Sequence, residues 1–288
     1  MPEKQLLVVI GPTASGKTAM AIRLAQQHKT VVVSADSRQV YKELPIGSAA
    51  PDASELATVP HYFIGTNSIH EPLDAAGFAQ LVRNTLTELF QLHDTVVLCG
   101  GSGMYVDGIL YGFDALPEKL PEVREKWNAL YREKGLAYLQ EELKSRDPEY
   151  YQKVDLNNPA RMIRALEVCD ISGNPYSQQL SGKTKTLPWK VKKYAIDWPR
   201  EVLYARINER VDAMLQNGLL EEARSVYPFR QLTSLQTVGY TELFDYFDGK
   251  CTLEEAVDKI KQHTRNLAKR QLTWWRRDEE IEWGRFEC

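Results

Sequence analysis

Leu6-Leu7-Val8-Val9-Ile10-Gly11-Pro12-Thr13-Ala14-Ser15-Gly16-Lys17-Thr18 is the stretch that decides the fold. Five consecutive apolar residues predict a short strand buried on both faces. Lys17 to His28, with Met20, Ile22, Leu24 and Ala25 on one side, predicts a helix directly after it. Between the two, Gly11 to Thr18 fits the pattern GxxxxGK[ST] in the strand–loop–helix context that the pattern needs. Glycines let the backbone curl so that successive N–H groups point at phosphate oxygens. The helix N-terminus adds a partial positive charge and Lys17 a full one. Gly11, Pro12, Thr13, Ala14, Ser15, Gly16, Lys17 and Thr18 are therefore expected to bind a phosphate or diphosphate, with the Thr18 hydroxyl as ligand of Mg²⁺.

Outward from this loop, Thr30 to Val33 and Thr95 to Cys99 read as strands. Ala75 to His93, with Phe78, Leu81, Val82, Leu86, Leu89 and Phe90, reads as a helix. Apolar β-runs alternating with amphipathic helices predict an α/β fold, a P-loop parallel-sheet core flanked by helices. After about Phe113 the strand signal stops: Pro117 and Pro121 punctuate it and Glu122 to Arg146 is helical in composition. Asn158-Pro159 reads as an N-cap and first helical residue, with Gly173 and Pro175 ending that helix. Val191 to Asp197 is strand-like, Glu201 to Asn217 helical with Gly218 as its stop, and a last helix covers about Leu253 to Arg276. That helix carries Leu253, Val257, Ile260, Thr264, Leu267, Gln271 and Trp275 along one stripe. The expected layout is a core of residues 1–113 and 196–288 with a helical insertion domain at 114–195.

With 288 residues, 26% charged and 10% aromatic, the chain has ordinary globular composition and enough length for a large core. No apolar run approaches the roughly 20 residues of a membrane span, and the early strand leaves no room for a signal peptide. Cys99, Cys169, Cys251 and Cys288 form no CxxC pair, so neither a disulfide framework nor structural zinc is expected. A cytoplasmic protein of a reducing compartment is expected. The net charge of −3 conceals two acid-free basic stretches. One holds Lys259, Lys261, Arg265, Lys269, Arg270, Arg276 and Arg277, the other Lys183, Lys185, Lys190, Lys192 and Lys193. Screening over about 8 Å lets such patches meet a polyanion locally; solvated helix faces are the plainer alternative.

A phosphate loop ordinarily means nucleotide hydrolysis or phosphoryl transfer, which needs a carboxylate at the end of a neighbouring strand to hold the metal. Val96-Val97-Leu98-Cys99 runs instead into Gly100-Gly101-Ser102-Gly103. The strand-end acid is Asp36, after Val31-Val32-Val33-Ser34-Ala35. In a parallel sheet it should lie near the phosphate loop, either as a turn aspartate or as a base or substrate anchor beside a diphosphate.

Several segments together resemble the tRNA dimethylallyltransferase family, also called tRNA isopentenyltransferases, of bacterial type. They are Gly11 to Thr18, Asp36-Ser37-Arg38-Gln39-Val40-Tyr41, Ile46-Gly47-Ser48-Ala49-Ala50-Pro51 and Gly100-Gly101-Ser102-Gly103-Met104-Tyr105. Further along come Asn158 to Glu167, Val238-Gly239-Tyr240 and Thr264 to Trp274. The resemblance implies transfer of the dimethylallyl group from dimethylallyl diphosphate to N6 of the adenine 3′ of a tRNA anticodon. Diphosphate leaves and Mg²⁺ assists. It also implies that the insertion is a helical tRNA-binding domain.

By the same resemblance Asp36 is the catalytic base, because an adenine N6 amine becomes acidic as it attacks carbon. Ser102, where many relatives have Thr, is implied as a second catalytic residue. Asp36, Ser37, Arg38, Gln39 and Ser102 would line the pocket of a flipped-out base. Arg124, Ala160, Arg161, Met162, Ile163 and Arg164 would contact the anticodon stem-loop, and Arg265, Lys269 and Arg270 its phosphates. Arg206 and Arg210 are candidates for the diphosphate or the RNA backbone. Trp274, Trp275 and Trp283 are read as core rather than base platforms. A monomer without membrane contact is expected. Two other readings are an ATP-dependent small-molecule kinase and a non-catalytic RNA-binding module. The missing Walker-B acid at the end of the Thr95–Cys99 strand opposes the first; intact Gly16, Lys17, Thr18 and Asp36 oppose the second.

Overall fold

A computed structural model of the chain describes residues 3–180 and 187–284. In chain order the elements are β1 (Gln5–Ile10), α1 (Lys17–Gln27), β2 (Val32–Ser34), α2 (Ala53–Thr58), β3 (His61–Tyr62), α3 (Ala75–Leu92), β4 (Thr95–Cys99) and α4 (Gly103–Tyr111). Next come α5 (Pro121–Arg146), α6 (Pro148–Tyr151) and α7 (Pro159–Ser172). The chain closes with β5 (Lys190–Ile196), α8 (Arg200–Gln216), α9 (Leu219–Val226), α10 (Tyr240–Phe247), α11 (Leu253–Trp275) and β6 (Ile281–Gly284). They form two compact units, Met1–Tyr111 with Thr186–Cys288, and Gly112–Lys185.

The first unit is built on a six-stranded sheet in the order β3-β2-β4-β1-β5-β6, parallel throughout. Leu6 to Ile10 are all buried, as the unbroken apolar run requires when helices cover both faces. Met20, Ala21, Ile22 and Ala25 of α1 pack on Leu7, Val9, Val32 and Val97. Each of the larger side chains among these contributes roughly 1.5–3 kcal/mol by leaving water, and the two alanines less. On α3, Phe78, Val82, Leu86, Leu89 and Phe90 are buried as the pattern predicts, whereas Leu81 is exposed. From β1 the chain passes to β2 and returns to β4 between them, then places β5 on the other flank of β1. The strand order therefore reverses at β1, and a crevice opens at the carboxyl ends where the phosphate loop leaves the sheet.

Two sequence expectations are corrected here. The insertion was expected to run to residue 195, but β5 pairs with β1 from Gln5↔Lys190 to Ile10↔Ala195, so the sheet resumes by Lys190. An apolar-and-lysine alternation is what a strand covered on one face more than the other looks like. The second basic stretch is also not a free cationic face. Lys193 is buried against Asp278 and Glu280, both at 2.8 Å, and Lys190 pairs with Glu3. Those carboxylates and the Tyr111 hydroxyl push the Lys193 ammonium well above its ordinary value despite burial. Lys183 and Lys185 lie outside the described residues.

In the second unit, Trp127, Leu139 and Leu143 of α5 pack on Met162, Ile163, Ala165 and Leu166 of α7. Gly135, at φ 77°, breaks α5 into two segments. The Asn158 side chain caps α7 through the Arg161 amide, and Gly173 ends it at φ 71°, the left-handed conformation that glycine adopts without Cβ strain. No helix among the described residues is long and apolar enough to cross a membrane.

Candidate active site

The phosphate loop closes as its sequence dictates. Gly11 and Gly16 sit at φ 135° and 97°, and Ala14 between them at φ 62°. Gly16 opens α1 with no side-chain cap, leaving the first helical amides without intrahelical acceptors. Lys17 donates to the Pro12 carbonyl at 2.7 Å. Burial, aided by Arg210 and opposed by Asp36, lowers its ammonium to about 8.

One cavity of about 850 Å³ lies above this loop, wholly within the sheet unit. Thr13, Ala14, Gly16, Lys17 and Thr18 form one wall, and Asp36, Ser37, Arg38, Gln39 and Ser102 another. Asp36 follows β2, and its Oδ1 accepts the amides of Arg38 at 2.8 Å and Gln39 at 3.4 Å. The carboxylate is thereby oriented as a turn residue would be, while its side chain still lines the cavity. The turn-aspartate reading is met, and the side chain also lines the cavity where a base or substrate anchor would have to stand. Ser102 donates to the Ser37 hydroxyl at 3.3 Å, joining the β4 and β2 loops. A Cβ on Gly100 would lie 2.6 Å from the Ala35 carbonyl oxygen, so these two loops approach as closely as backbone allows. Cys99, where a metal-holding carboxylate would stand, is a thiol pushed up to about 11 by burial and is neutral.

Two helices complete the cavity. Arg206 and Arg210, one turn apart on α8, both line it. Arg206 Nε donates to the Ala14 carbonyl at 2.9 Å. Arg210 reaches Thr13 Oγ1 at 3.3 Å and the Ala49 carbonyl at 3.4 Å. Burial pulls the Arg210 guanidinium below its ordinary value, with Asp36 and Glu55 opposing. From α11 come Gln271, Trp274 and Arg270. Sequence reasoning placed Gln271 in an apolar stripe and Trp274 in the core. A lone carboxamide among apolar positions was the available signal, because a buried amide needs partners. Trp274 is half-buried against Gly103, and a Cβ there would lie 2.5 Å from its indole.

Not every expected residue reaches the cavity. Gly11, Pro12 and Ser15 do not line it, and the Ser15 hydroxyl is buried beside Gly11. Arg265 and Lys269 lie on α11 outside the cavity lining; Arg265 donates to Asn208 at 2.7 Å and Lys269 is exposed. In the helical unit, Ala160 and Arg161 are exposed, but Met162 and Ile163 are core residues with no free surface for RNA. Apolar side chains on the inner face of an amphipathic helix are claimed by its packing. Arg124 and Arg164 converge on the fully buried Glu167, at 2.5 and 3.5 Å. Much of their charge is spent inside the unit.

For Mg²⁺, the donor set is one hydroxyl, Thr18, which lines the cavity together with Lys17 and Asp36. Among the described residues no group of three or more His, Cys, Asp or Glu could hold a metal by itself. Mg²⁺ is commonly held by one or two protein ligands together with waters and substrate phosphates, so the residues fit it once a diphosphate is present.

The IPP transferase family model matches residues 39–278. The chain is 49% identical over 283 residues to tRNA dimethylallyltransferase 1 of Phocaeicola vulgatus, covering 98% of this chain and 94% of that one. It is 48% identical over 286 residues to the tRNA dimethylallyltransferase of Flavobacterium johnsoniae, covering 97% and 93%. Among solved structures, the full-length tRNA isopentenylpyrophosphate transferase of Bacillus halodurans superposes with a TM-score of 0.72 at 35% identity, covering 98% and 90%. A eukaryotic dimethylallyltransferase acting on tRNA shares the fold, with a TM-score of 0.78 at 24% identity over 94% of this chain and 70% of that one. This protein belongs to the IPP transferase family.

Proposed function

We propose that the chain is a tRNA dimethylallyltransferase. It transfers the dimethylallyl group from dimethylallyl diphosphate to N6 of the adenine 3′ of the anticodon and releases diphosphate. The observation that carries this reading is one cavity lined both by the phosphate loop and by an oriented carboxylate, Asp36. At the end of β4 stands Cys99, so the metal-holding carboxylate that phosphoryl transfer uses at that position is not there.

The adenine N6 lone pair attacks the allylic carbon as the carbon–oxygen bond to diphosphate breaks. The nitrogen becomes acidic during attack, and Asp36 takes its proton through Oδ2, since Oδ1 is held by the Arg38 and Gln39 amides. Negative charge grows on the departing diphosphate. Lys17, Arg206, Arg210 and the first amides of α1 stabilise that charge. Thr18 would hold Mg²⁺, which when bound supplies further neutralisation of the leaving group. Ser37, Arg38, Gln39 and Ser102 surround the unstacked base. Flipping it costs a few kcal/mol, offset by such contacts. Arg270 and Lys269 on α11, and Arg161 on the helical unit, are exposed cations for tRNA phosphates. The protein is proposed to act as a monomer in the cytoplasm.

The test is mass spectrometry of unmodified tRNA incubated with the protein, dimethylallyl diphosphate and Mg²⁺. A five-carbon adduct on the single adenosine 3′ of the anticodon is expected; unaltered tRNA, or phosphorylation of a small molecule by ATP, defeats the reading.

A further inference from the structure

Thr13 is held from two sides. Its amide donates to Gln271 Oε1 at 2.9 Å, and its hydroxyl accepts from Arg210. The other end of the same carboxamide, Gln271 Nε2, donates to the Gly101 carbonyl at 2.9 Å. One side chain on α11 therefore joins the loop that cradles the diphosphate to the loop that carries Ser102. The contact depends on glycine at its far end, because a Cβ on Gly101 would lie 2.7 Å from Gln271 Nε2. One turn along α11, Trp274 closes on Gly103 in the same loop.

We propose that Gln271 is a positioning residue for prenyl transfer. Its carboxamide staples the phosphate loop to the glycine loop after β4, and so fixes the separation between the diphosphate and the Asp36–Ser102 side of the cavity. The proposal rests on the transfer reaction argued above. A carboxamide suits the position because one end must accept and the other donate. Glutamate loses the donor, and methionine of similar length loses both. The staple also commits the Thr13 amide, so the diphosphate falls to the amides of Gly16, Lys17 and Thr18. Reacting atoms must lie about 3–3.5 Å apart and in line, and a displacement of about 1 Å can cost on the order of 10²-fold in rate.

The test compares Q271M, G101A and the double variant of the full chain, with kcat taken per active site from single-turnover transfer and tRNA affinity from filter binding. The alanine at Gly101 meets chiefly the end of a flexible side chain, so that variant displaces the staple while keeping the fold. Each single variant is expected to lose at least about tenfold in kcat. Dissociation constants for tRNA should stay within about threefold, a split that general loss of structure would not give. The double variant should be no slower than the slower single, since both break one link. Parental kcat in either variant, or losses that multiply in the double, overturns the proposal. Should Q271M fail to fold, G101A alone decides: the same fall in kcat supports the staple and parental kcat overturns it. A parent protein that transfers no prenyl group removes the underlying reading, and that failure is seen before any variant is compared.

Discussion

The ring of Tyr240 occupies the space where a side chain on Gly47 would stand: a Cβ there would lie 2.4 Å from its hydroxyl oxygen. That hydroxyl donates to Glu222 at 2.6 Å, and the same carboxylate accepts the amides of Ile46 and Gly47, each at 2.8 Å. Burial, then the Glu222 charge, holds the phenol firmly protonated. The Val238-Gly239-Tyr240 and Ile46-Gly47 motifs, far apart in sequence, thus form one latch in the cavity wall, which Gly47, Val238 and Gly239 line. Gly47→Ala should destabilise the protein by about 1–3 kcal/mol, because the fully buried ring cannot retreat. Tyr240→Phe should cost roughly 1.5–3 kcal/mol through its lost bond to a charged acceptor. Urea unfolding measures both; parental midpoints would show that the latch is not under load.

Asp36→Ala should leave tRNA affinity within about tenfold while lowering turnover at least 10²-fold, roughly the scale for loss of a general base. Its Oδ1 also caps the turn at Arg38 and Gln39, so a small loss of stability should accompany the change. Turnover equal to the parent removes Asp36 from the mechanism.

Lys17 gives the site a pH dependence. Its ammonium titrates near 8 before diphosphate binds, and a bound anion favours the charged form. Affinity for inorganic pyrophosphate should therefore fall as pH rises above 8, by up to about tenfold per unit. The effect on stability has the opposite sign. The folded state binds this proton less tightly than the unfolded chain, whose lysine titrates at 10.5, so burying the charge costs stability below pH 8 and that cost is relieved between 8 and 10.5. Lys17→Met should abolish the pH dependence of binding along with most of the binding, without lowering the thermal midpoint at pH 7. Calorimetry and thermal unfolding across this range check the two signs.

Binding of tRNA should weaken steeply with salt, as exposed Lys269 and Arg270 release counterions from RNA phosphates. Lys269→Ala should reduce the slope of log K against log salt by about 0.7–0.9. The same substitution at Lys193 should instead lower stability, since that ammonium is buried against Asp278 and Glu280. A flat salt response would remove the α11 face from the RNA contact.

What the sequence determined by itself is what lies close along the chain. Strand, glycine loop and helix from Leu6 to Thr18, the cap at Asn158 and the stop at Gly173 follow from local sterics and hydrogen bonding, and they stand where the residues predict. The alternation of apolar β-runs and helices likewise predicted a parallel sheet, whereas its strand order, with the reversal beside β1, came only with the tertiary structure. Tertiary structure alone decided which charges remain free and which polar groups meet. Arg164 meets Glu167 three residues along its own helix, whereas Lys193 and Arg124 look cationic in sequence but are consumed by Asp278, Glu280 and Glu167, which packing of distant segments brings to them. Met162 and Ile163 fall to the core for the same reason. Gln271, 258 residues from Thr13, acquires its partner only when α11 closes over the loop. Local propensity reaches a few residues either way, whereas a buried charge or amide is resolved by whichever partner the fold delivers.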